Sequence, residues 1–573
     1  MSTAASIDTD VRKFYRADAD IYVNLLGSHH FRMGYEREDL SSTTDTTYSG
    51  SGYRYQFSPN FIQRWYYLNQ GSWKSQNESF YIQDSWSLLQ DRLTLQLGLR
   101  NDRFSNDAIN GETYFKSGSQ WGPRLGASFD VFGDKTTAIR GSWGRYFYPV
   151  ATNTNIRLGG AELYYRQRFA YPAGVNPRSF DPRTGLVNGL QYDANGNILN
   201  LTTPASGRVG NCPAGSPNAT QICNVIYSDG EAGPTDTLVS SNLQPSYTDE
   251  WTVGVERRLG EWRFGLTYLN RRLGRTLDDV AIDAAVLAYC DRERINGCGD
   301  VFSGFHQYVL ANPGSDITVR LDGDCTVDQR QCGVVTLSAA DLKYPSAKRA
   351  YDSIIFDFGK AYSNGWGIQG SYAFNRTRGN YEGAIKSDNG QEDAGLTQDF
   401  DQPGLLDGAY GILPSERKHQ FKLFGTVGLP GGFRVGANVL VESPRSFSCY
   451  GVHPTDEFAA AYQNASYYCK QPRFSGNEQV NGSYLVRRGT AFKSDWRKQV
   501  DLNIGYDIRS LPGSFFGVDI FNVFNFKSKL DFNEFGENGD GTLNSVYGRP
   551  LGYQAPRFVR FTLGIRFGEP ARD

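Results

Sequence analysis

Residues 558–567, FVRFTLGIRF, put Val559, Phe561, Leu563, Ile565 and Phe567 on one face and Arg560, Thr562, Gly564 and Arg566 on the other. Successive strand side chains point to opposite sides, so one face of such a segment can meet lipid while the other meets water or polar protein. The alternation recurs along the chain. Leu93, Leu95, Leu97 and Leu99 interleave with Thr94, Gln96, Gly98 and Arg100, and Trp251, Val253 and Val255 with Thr252, Gly254 and Glu256. Phe433, Val435, Ala437, Val439 and Val441 repeat the pattern, as do Val500, Leu502, Ile504, Tyr506 and Ile508. Helical spacing fits none of these runs.

The pattern predicts fifteen strands, near 18–26, 30–39, 77–88, 92–104, 119–131, 136–147, 247–258, 262–273, 349–359, 365–377, 416–428, 432–444, 497–508, 514–526 and 556–567, with room for a sixteenth between 48 and 57. Connections alternate between very short (27–30, 89–91, 133–135, 259–261, 429–432) and very long (148–246, 274–348, 445–496). Tight turns at one end and extended loops at the other are the asymmetry of an outer-membrane barrel. A compact soluble domain seldom carries structureless connections of that length. The fold class expected is all-β, a transmembrane antiparallel up-and-down barrel with long extracellular loops.

Composition agrees with this reading. No run resembles a membrane-crossing helix, which needs about 20 mostly apolar residues. The mean hydropathy of -0.50 is compatible with a barrel, because only alternate strand residues face lipid. The 35 Tyr, 36 Phe and 9 Trp suit the two membrane interfaces. A net charge of -2 gives no broad basic field for a nucleic-acid partner.

All eight cysteines lie in the long connections. Nearness in sequence pairs Cys212 with Cys223, Cys290 with Cys298, Cys325 with Cys332 and Cys449 with Cys469, as an oxidising, extracytoplasmic setting permits. Free or metal-binding cysteines are the alternative, weakened because no CxxC occurs. The opening MSTAASID has no basic segment followed by an apolar one, so no secretory signal is read there.

Four segments then resemble one family together: HHFRMGYERE (29–38), ESFYIQDSWSLLQDRLTLQLGLRNDRF (78–104), DIFNVFNF (519–526) and YGRPLGYQAPRFVRFTLGIRF (547–567). They are similar to TonB-dependent outer-membrane receptors, in particular the Oar-like subgroup, over residues 18–567. The resemblance implies localisation in a Gram-negative outer membrane, a 22-stranded plugged barrel, and a C-terminal signal read by barrel-assembly machinery on Phe561, Leu563, Ile565 and Phe567. It also implies partnership with the TonB complex if a plug is supplied, an outer-membrane lipid environment and a ligand of unknown identity. Only 15 or 16 of the 22 strands are read here, with neither TonB box nor plug, so the expectation is an incomplete chain that has lost its true beginning. Residues 1–17 are then an N-terminal segment of uncertain structure, 18–567 a partial barrel and 568–573 a short tail.

No catalytic constellation accompanies the pattern. Five histidines occur without HExxH, and there is no GxSxG; no enzyme activity, cofactor or metal is expected. His29 and His30 read as residues of a tight turn. The loop DFNEFGENGDGT (531–542) starts like a calcium loop at Asp531, Asn533 and Gly536, but Phe535 and Thr542 stand where oxygen ligands are needed. Asn195 and Gly196 signal a hairpin turn. Arg100, Arg124, Arg140, Glu250, Glu256, Arg434, Asp501 and Asp507 fall on the polar parity and read as inner-wall charges. The functional expectation is a receptor barrel that binds and takes up a ligand; the alternatives are a stand-alone pore or surface-binding barrel and, in third place, an outer-membrane hydrolase.

Overall fold

The structure, a computed structural model, describes residues 4–202, 210–391, 395–511 and 513–565. Fifteen long strands form one antiparallel meander: β1 (Ala4–Asn24), β2 (Ser28–Tyr48), β3 (Ile62–Leu88), β4 (Leu93–Asp107), β5 (Gln120–Asp130), β6 (Thr137–Tyr148), β7 (Ser246–Leu259), β8 (Trp262–Arg275), β9 (Arg349–Ser363), β10 (Trp366–Gly379), β11 (His419–Leu429), β12 (Phe433–Glu442), β13 (Arg497–Asp507), β14 (Phe515–Phe521) and β15 (Phe558–Gly564). Each pairs with its neighbours in chain order. Among the described residues, β1 pairs with β2 alone and β15 with β14 alone, so the sheet has two open edges.

Seven short turns close one end of the meander and seven longer connections the other. Between β9 and β10 the turn is Asn364 and Gly365, both at positive φ (51° and 82°), the twist a two-residue hairpin needs. The register keeps the apolar parity continuous from strand to strand. Leu97 lies opposite Leu125, Leu125 opposite Trp143 and Trp143 opposite Trp251. Farther round, Val435 lies between Val427 and Ile504, while Ile504 faces Val518 and Val518 faces Phe561. Most of these side chains are exposed, Trp251 to 52% and Phe561 to 69%, because the solvent for this face is lipid.

Three boundaries differ most from the sequence expectation. β1 begins at Ala4, so 4–17 continues the strand expected at 18–26, β2 runs to Tyr48 instead of 39, and β3 begins at Ile62 instead of 77. Toward the loop end both faces of a strand are wet and the apolar alternation lapses, while the backbone ladder continues. At about 3.3 Å per residue the 27 residues of β3 reach on the order of 90 Å, far beyond the roughly 9–11 residues a crossing needs. The additional strand suspected between 48 and 57 is Tyr53–Phe57, which pairs with the loop-side end of β3 and is too short to cross. Phe567 and the tail 568–573 lie outside the described residues.

Placing an arginine at Leu97, which faces lipid between Asp84 and Leu125, should cost roughly 2–4 kcal/mol of folding free energy if the site is near the bilayer midplane. Urea titration of the vesicle-inserted Leu97→Arg variant measures it, and an unchanged midpoint would place that face away from lipid.

Candidate functional site: a loop cap above a polar inner wall

The inward parity of the meander is a wall of paired charge. Arg100 reaches Glu36 of β2 at 2.7 Å and Asp102 at 2.8 Å. Arg140 meets Glu256 at 2.8 Å, and Arg263 joins Glu256 to Asp357. Glu250 pairs with Arg271, and Arg434 with Asp507 at 2.8 Å. Asp501 accepts from Gln499 and from the backbone N–H of Asn522, while Arg124 lies 4.9 Å from the Tyr146 ring centroid. Of the eight inner-wall charges read from the sequence, the structure therefore joins Arg140 to Glu256 and Arg434 to Asp507. The others meet partners that the sequence reading did not name, among them Glu36 and Arg271. Arg560 with Asp519, 2.9 Å apart, extends the wall to the last strand. Pairs of this kind, half open to water, fix geometry more than they stabilise.

The long connections fold together. Val280, Ile282, Phe302 and Leu321 from 276–348, Tyr381, Phe400 and Leu406 from 380–418, and Tyr450 and Tyr467 from 443–496 share one buried apolar core. Phe104, on the inward parity of β4, packs with Leu310 and Leu396 from two of those loops, so the loops lean inward across the mouth. Single backbone bridges tie further segments in: Val239 to Leu310 and Tyr450 to Phe535. This apolar core of the loops replaces the structureless connections expected from sequence.

Inside the cap lies a neutral set of four buried charges. Lys386 Nζ is 2.5 Å from Asp399 Oδ1 and 3.8 Å from Asp388. Arg488, with no exposed surface, donates through Nε to Asp388 Oδ2 at 2.8 Å, and its Nη1 is 3.5 Å from Asp399. The Tyr450 and Tyr467 rings lie within 6 Å of the Lys386 ammonium. Burial pushes the Asp388 carboxyl up, but Arg488 and Lys386 outweigh it and hold it at about 2. Nearby, Arg445 bridges Asp531 at 2.9 Å and Glu534 at 3.1 Å. Burial, reinforced by Asp388, raises the Glu534 carboxyl from its ordinary 4.5 to about 8. These groups belong to three different connections, and losing one partner of such a set would leave an uncompensated buried charge.

The remaining sequence readings also find places. In the 531–542 loop Asp531 and Glu534 are engaged by Arg445, Glu537 by Lys470 and Asp540 by Thr542. Among the described residues there is no group of three metal-ligating side chains. Gly196 sits at φ 84° in a turn braced by Asp193. His29 and His30 are corrected: the turn is 25–27, and both lie on β2. His29 faces outward, 2.7 Å from Asp84 and stacked on Trp86, and His30 faces inward, 2.6 Å from Asp20. The cysteines pair as 212–223, 290–298, 325–332 and 449–469, with no free cysteine among the described residues. The Lys386, Asp388, Asp399 and Arg488 set escaped the sequence reading, since Asp388 and Arg488 stand 100 positions apart with no local motif.

A polar hollow of about 1110 Å³ opens on the inward face at the loop end, lined by Asp8, Asp10, Ser42, Thr44, Tyr67 and Glu162. Lipid-facing apolar strands, a polar inner wall and a loop cap at one mouth define a transmembrane β-barrel protein. Residues 103–443, more than half the chain, match the family model described as outer membrane beta barrel domain, and the chain belongs to that family. Its place is accordingly the outer membrane of a Gram-negative cell. It is 25% identical over 614 aligned residues to the TonB-dependent transporter Oar of Myxococcus xanthus, an alignment covering 96% of this chain and 50% of that protein. The chain thus spans about half the length of the curated relative it matches. Similar solved structures include the outer membrane transporter YddB from Escherichia coli, at 12% identity and TM-score 0.47, covering 97% of this chain and 54% of that one. The siderophore receptor PiuA from Acinetobacter baumannii is similar at 9% identity and TM-score 0.47, covering 97% and 56%.

Two outcomes are expected of the cap. A carboxyl whose folded-state value is raised binds a proton that the unfolded chain has lost, so the contribution of Glu534 to stability falls as pH rises from about 4.5 to about 8 and is level above that. Protection factors in 443–496 and 522–557, with the intrinsic rise of amide exchange with pH divided out, should therefore fall across that window, and Glu534→Gln should flatten the trend; an equal slope in the variant rejects the assignment. Thiol labelling of the native, unreduced chain should modify no cysteine and reduction should expose eight, whereas complete labelling before reduction would dismiss the four pairs.

Proposed function

We propose that the chain is the wall and loop cap of a TonB-dependent outer-membrane receptor, a binding and uptake protein and not an enzyme. Ligand taken at the loops would pass along the paired charges of the inner wall once a plug, drawn through TonB, clears the lumen. The observation that carries this reading is the fifteen-strand wall, with its mouth covered by folded loops and, among the described residues, each outer strand hydrogen-bonded on one side only. Unpaired amides in hydrocarbon cost several kcal/mol each, so β1 and β15 require antiparallel partners. About seven further strands would complete the 22 of plugged transporters. The likeness to the transporter Oar over half its length supports the same arrangement. Outward-facing Phe561, Leu563 and Ile565, at 69%, 61% and 48% exposure, support the reading of this ending, with Phe567, as a signal for barrel-assembly machinery.

Planar-bilayer recording of this chain by itself tests the proposal. Unsteady insertion without a fixed unit conductance is expected of a wall that needs further strands and a plug. A constant ohmic channel would instead mean that the chain closes as a pore independent of TonB.

A further inference from the structure

The loop-side end of β3 carries a small sheet of its own. Tyr53–Phe57 and Leu163–Phe169 pair with β3 on either side, and Val225–Asp229 extends the sheet beyond Leu163–Phe169. A crossing takes roughly 9–11 residues, so Trp65 stands on the order of 30–40 Å along the strand from the lipid, out of reach of its headgroups. Residues directly opposite in register share a face. On one face Ile62, Tyr66, Tyr165 and Phe169 pack against Val187, Leu190, Ile198 and the Cys212–Cys223 disulfide. The other face holds Arg54, Gln63, Trp65, Tyr164, Arg166 and Arg168.

Three arginines of this second face converge. Arg54 lies opposite Trp65 and Trp65 opposite Arg166, while Arg168 is two positions along the strand from Arg166, about 6.6 Å away. The Arg166 guanidinium sits 5.0 Å from the Trp65 ring centroid, and that of Arg168 sits 4.3 Å from the Phe61 ring. Stacking of this kind fixes a guanidinium and leaves its in-plane N–H groups to a carboxylate. The inner-wall arginines Arg100 and Arg140 have such carboxylates within the chain. Among the described residues Arg54, Arg166 and Arg168 have none within ion-pair distance, and Nε of Arg166 and of Arg168 has no acceptor.

Negative charge alone does not complete the face. Gln63, 9% exposed, makes no side-chain hydrogen bond among the described residues, and its Oε1 is buried without a donor. Tyr227, the extra residue of a bulge between Ile226 and Ser228, is 48% exposed, with its ring 4.6 Å from that of Tyr164 and 5.7 Å from that of Trp65. A ligand that fits brings anions to the arginines, a hydroxyl to the Gln63 amide and a C–H-lined ring to the electron-rich face of Tyr227. The backbone of duplex DNA has no hydroxyl to give, and a chain of acidic amino acids has no ring. Sugars bearing carboxylates supply all three.

We propose that this face is a binding surface for acidic sugar chains, with Arg54, Arg166 and Arg168 taking carboxylates, the Gln63 amide a hydroxyl and Tyr227 a sugar ring. It attaches the loops to carbohydrate outside the cell and requires neither plug nor TonB.

Biolayer interferometry with immobilised oligogalacturonate and the whole chain in detergent micelles tests this. The chain should bind the acid form and bind its methyl ester on the order of tenfold more weakly. The double change Arg166→Gln, Arg168→Gln should weaken binding of the acid form by a similar factor, and Arg54→Gln, at an exposed side chain, should weaken it severalfold. Arg178→Gln, on an exposed stretch of the neighbouring connection, should leave it unchanged. Cys212 and Cys223, which pack on the covered face, should stay closed to thiol label in each variant; if the double change opens them, Arg54→Gln decides. Equal binding of acid and ester, undiminished binding in Arg54→Gln or in a folded double variant, equal loss in Arg178→Gln, or equally tight binding of polyglutamate or duplex DNA would each overturn the proposal.

Discussion

Every backbone amide of a lipid-crossing strand must find a partner within the protein, and the rest of this molecule depends on that requirement. It forces the crossing segments into one continuous ladder, from the 21 paired positions of β1 and β2 to the seven of β14 and β15. Once the ladder exists, side-chain placement follows with a period of two. The lipid band and the charged inner wall are two readings of one alternation. The same requirement makes the two outer strands the least self-sufficient part of the sheet. Any complete assembly has to satisfy them first.

The apolar residues divide between two jobs. On the wall they are exposed and face lipid, as Leu266 and Ile354 do at 48% and 50%, so they add little to a conventional core. The densely buried apolar set lies in the loops, around Ile282, Phe302 and Phe400. Within that set the Lys386, Asp388, Asp399 and Arg488 group contributes specificity more than strength, since paired buried charges roughly break even against hydrophobic packing. It admits one arrangement of the loops and penalises others.

Much of the wall was legible before any coordinates. The strands around Leu93, Phe433, Val500 and Phe558 announce themselves because lipid on one side and water on the other enforce strict alternation there. The disulfides were legible because each spans a short stretch. Residues 4–17 and 62–76 were not, because beyond the membrane neither face of β1 or β3 has to be apolar and only hydrogen bonding keeps them extended. The cap was opaque for a different reason: Asp388 finds Arg488 across 100 positions, and Phe104 finds Leu310 across loops, through contacts with no periodic trace. His29 was misread because a turn of only three residues, 25–27, left it on the strand.

The placement of the disulfides has a mechanical consequence. Cys212 with Cys223, Cys290 with Cys298, Cys325 with Cys332 and Cys449 with Cys469 each close within a single connection. No covalent tie crosses from one loop to another, so adhesion between loops rests on reversible contacts alone. The seating of one loop on another can therefore be undone and remade without breaking a covalent bond, at the cost of opening the apolar core and the buried charges that the loops share.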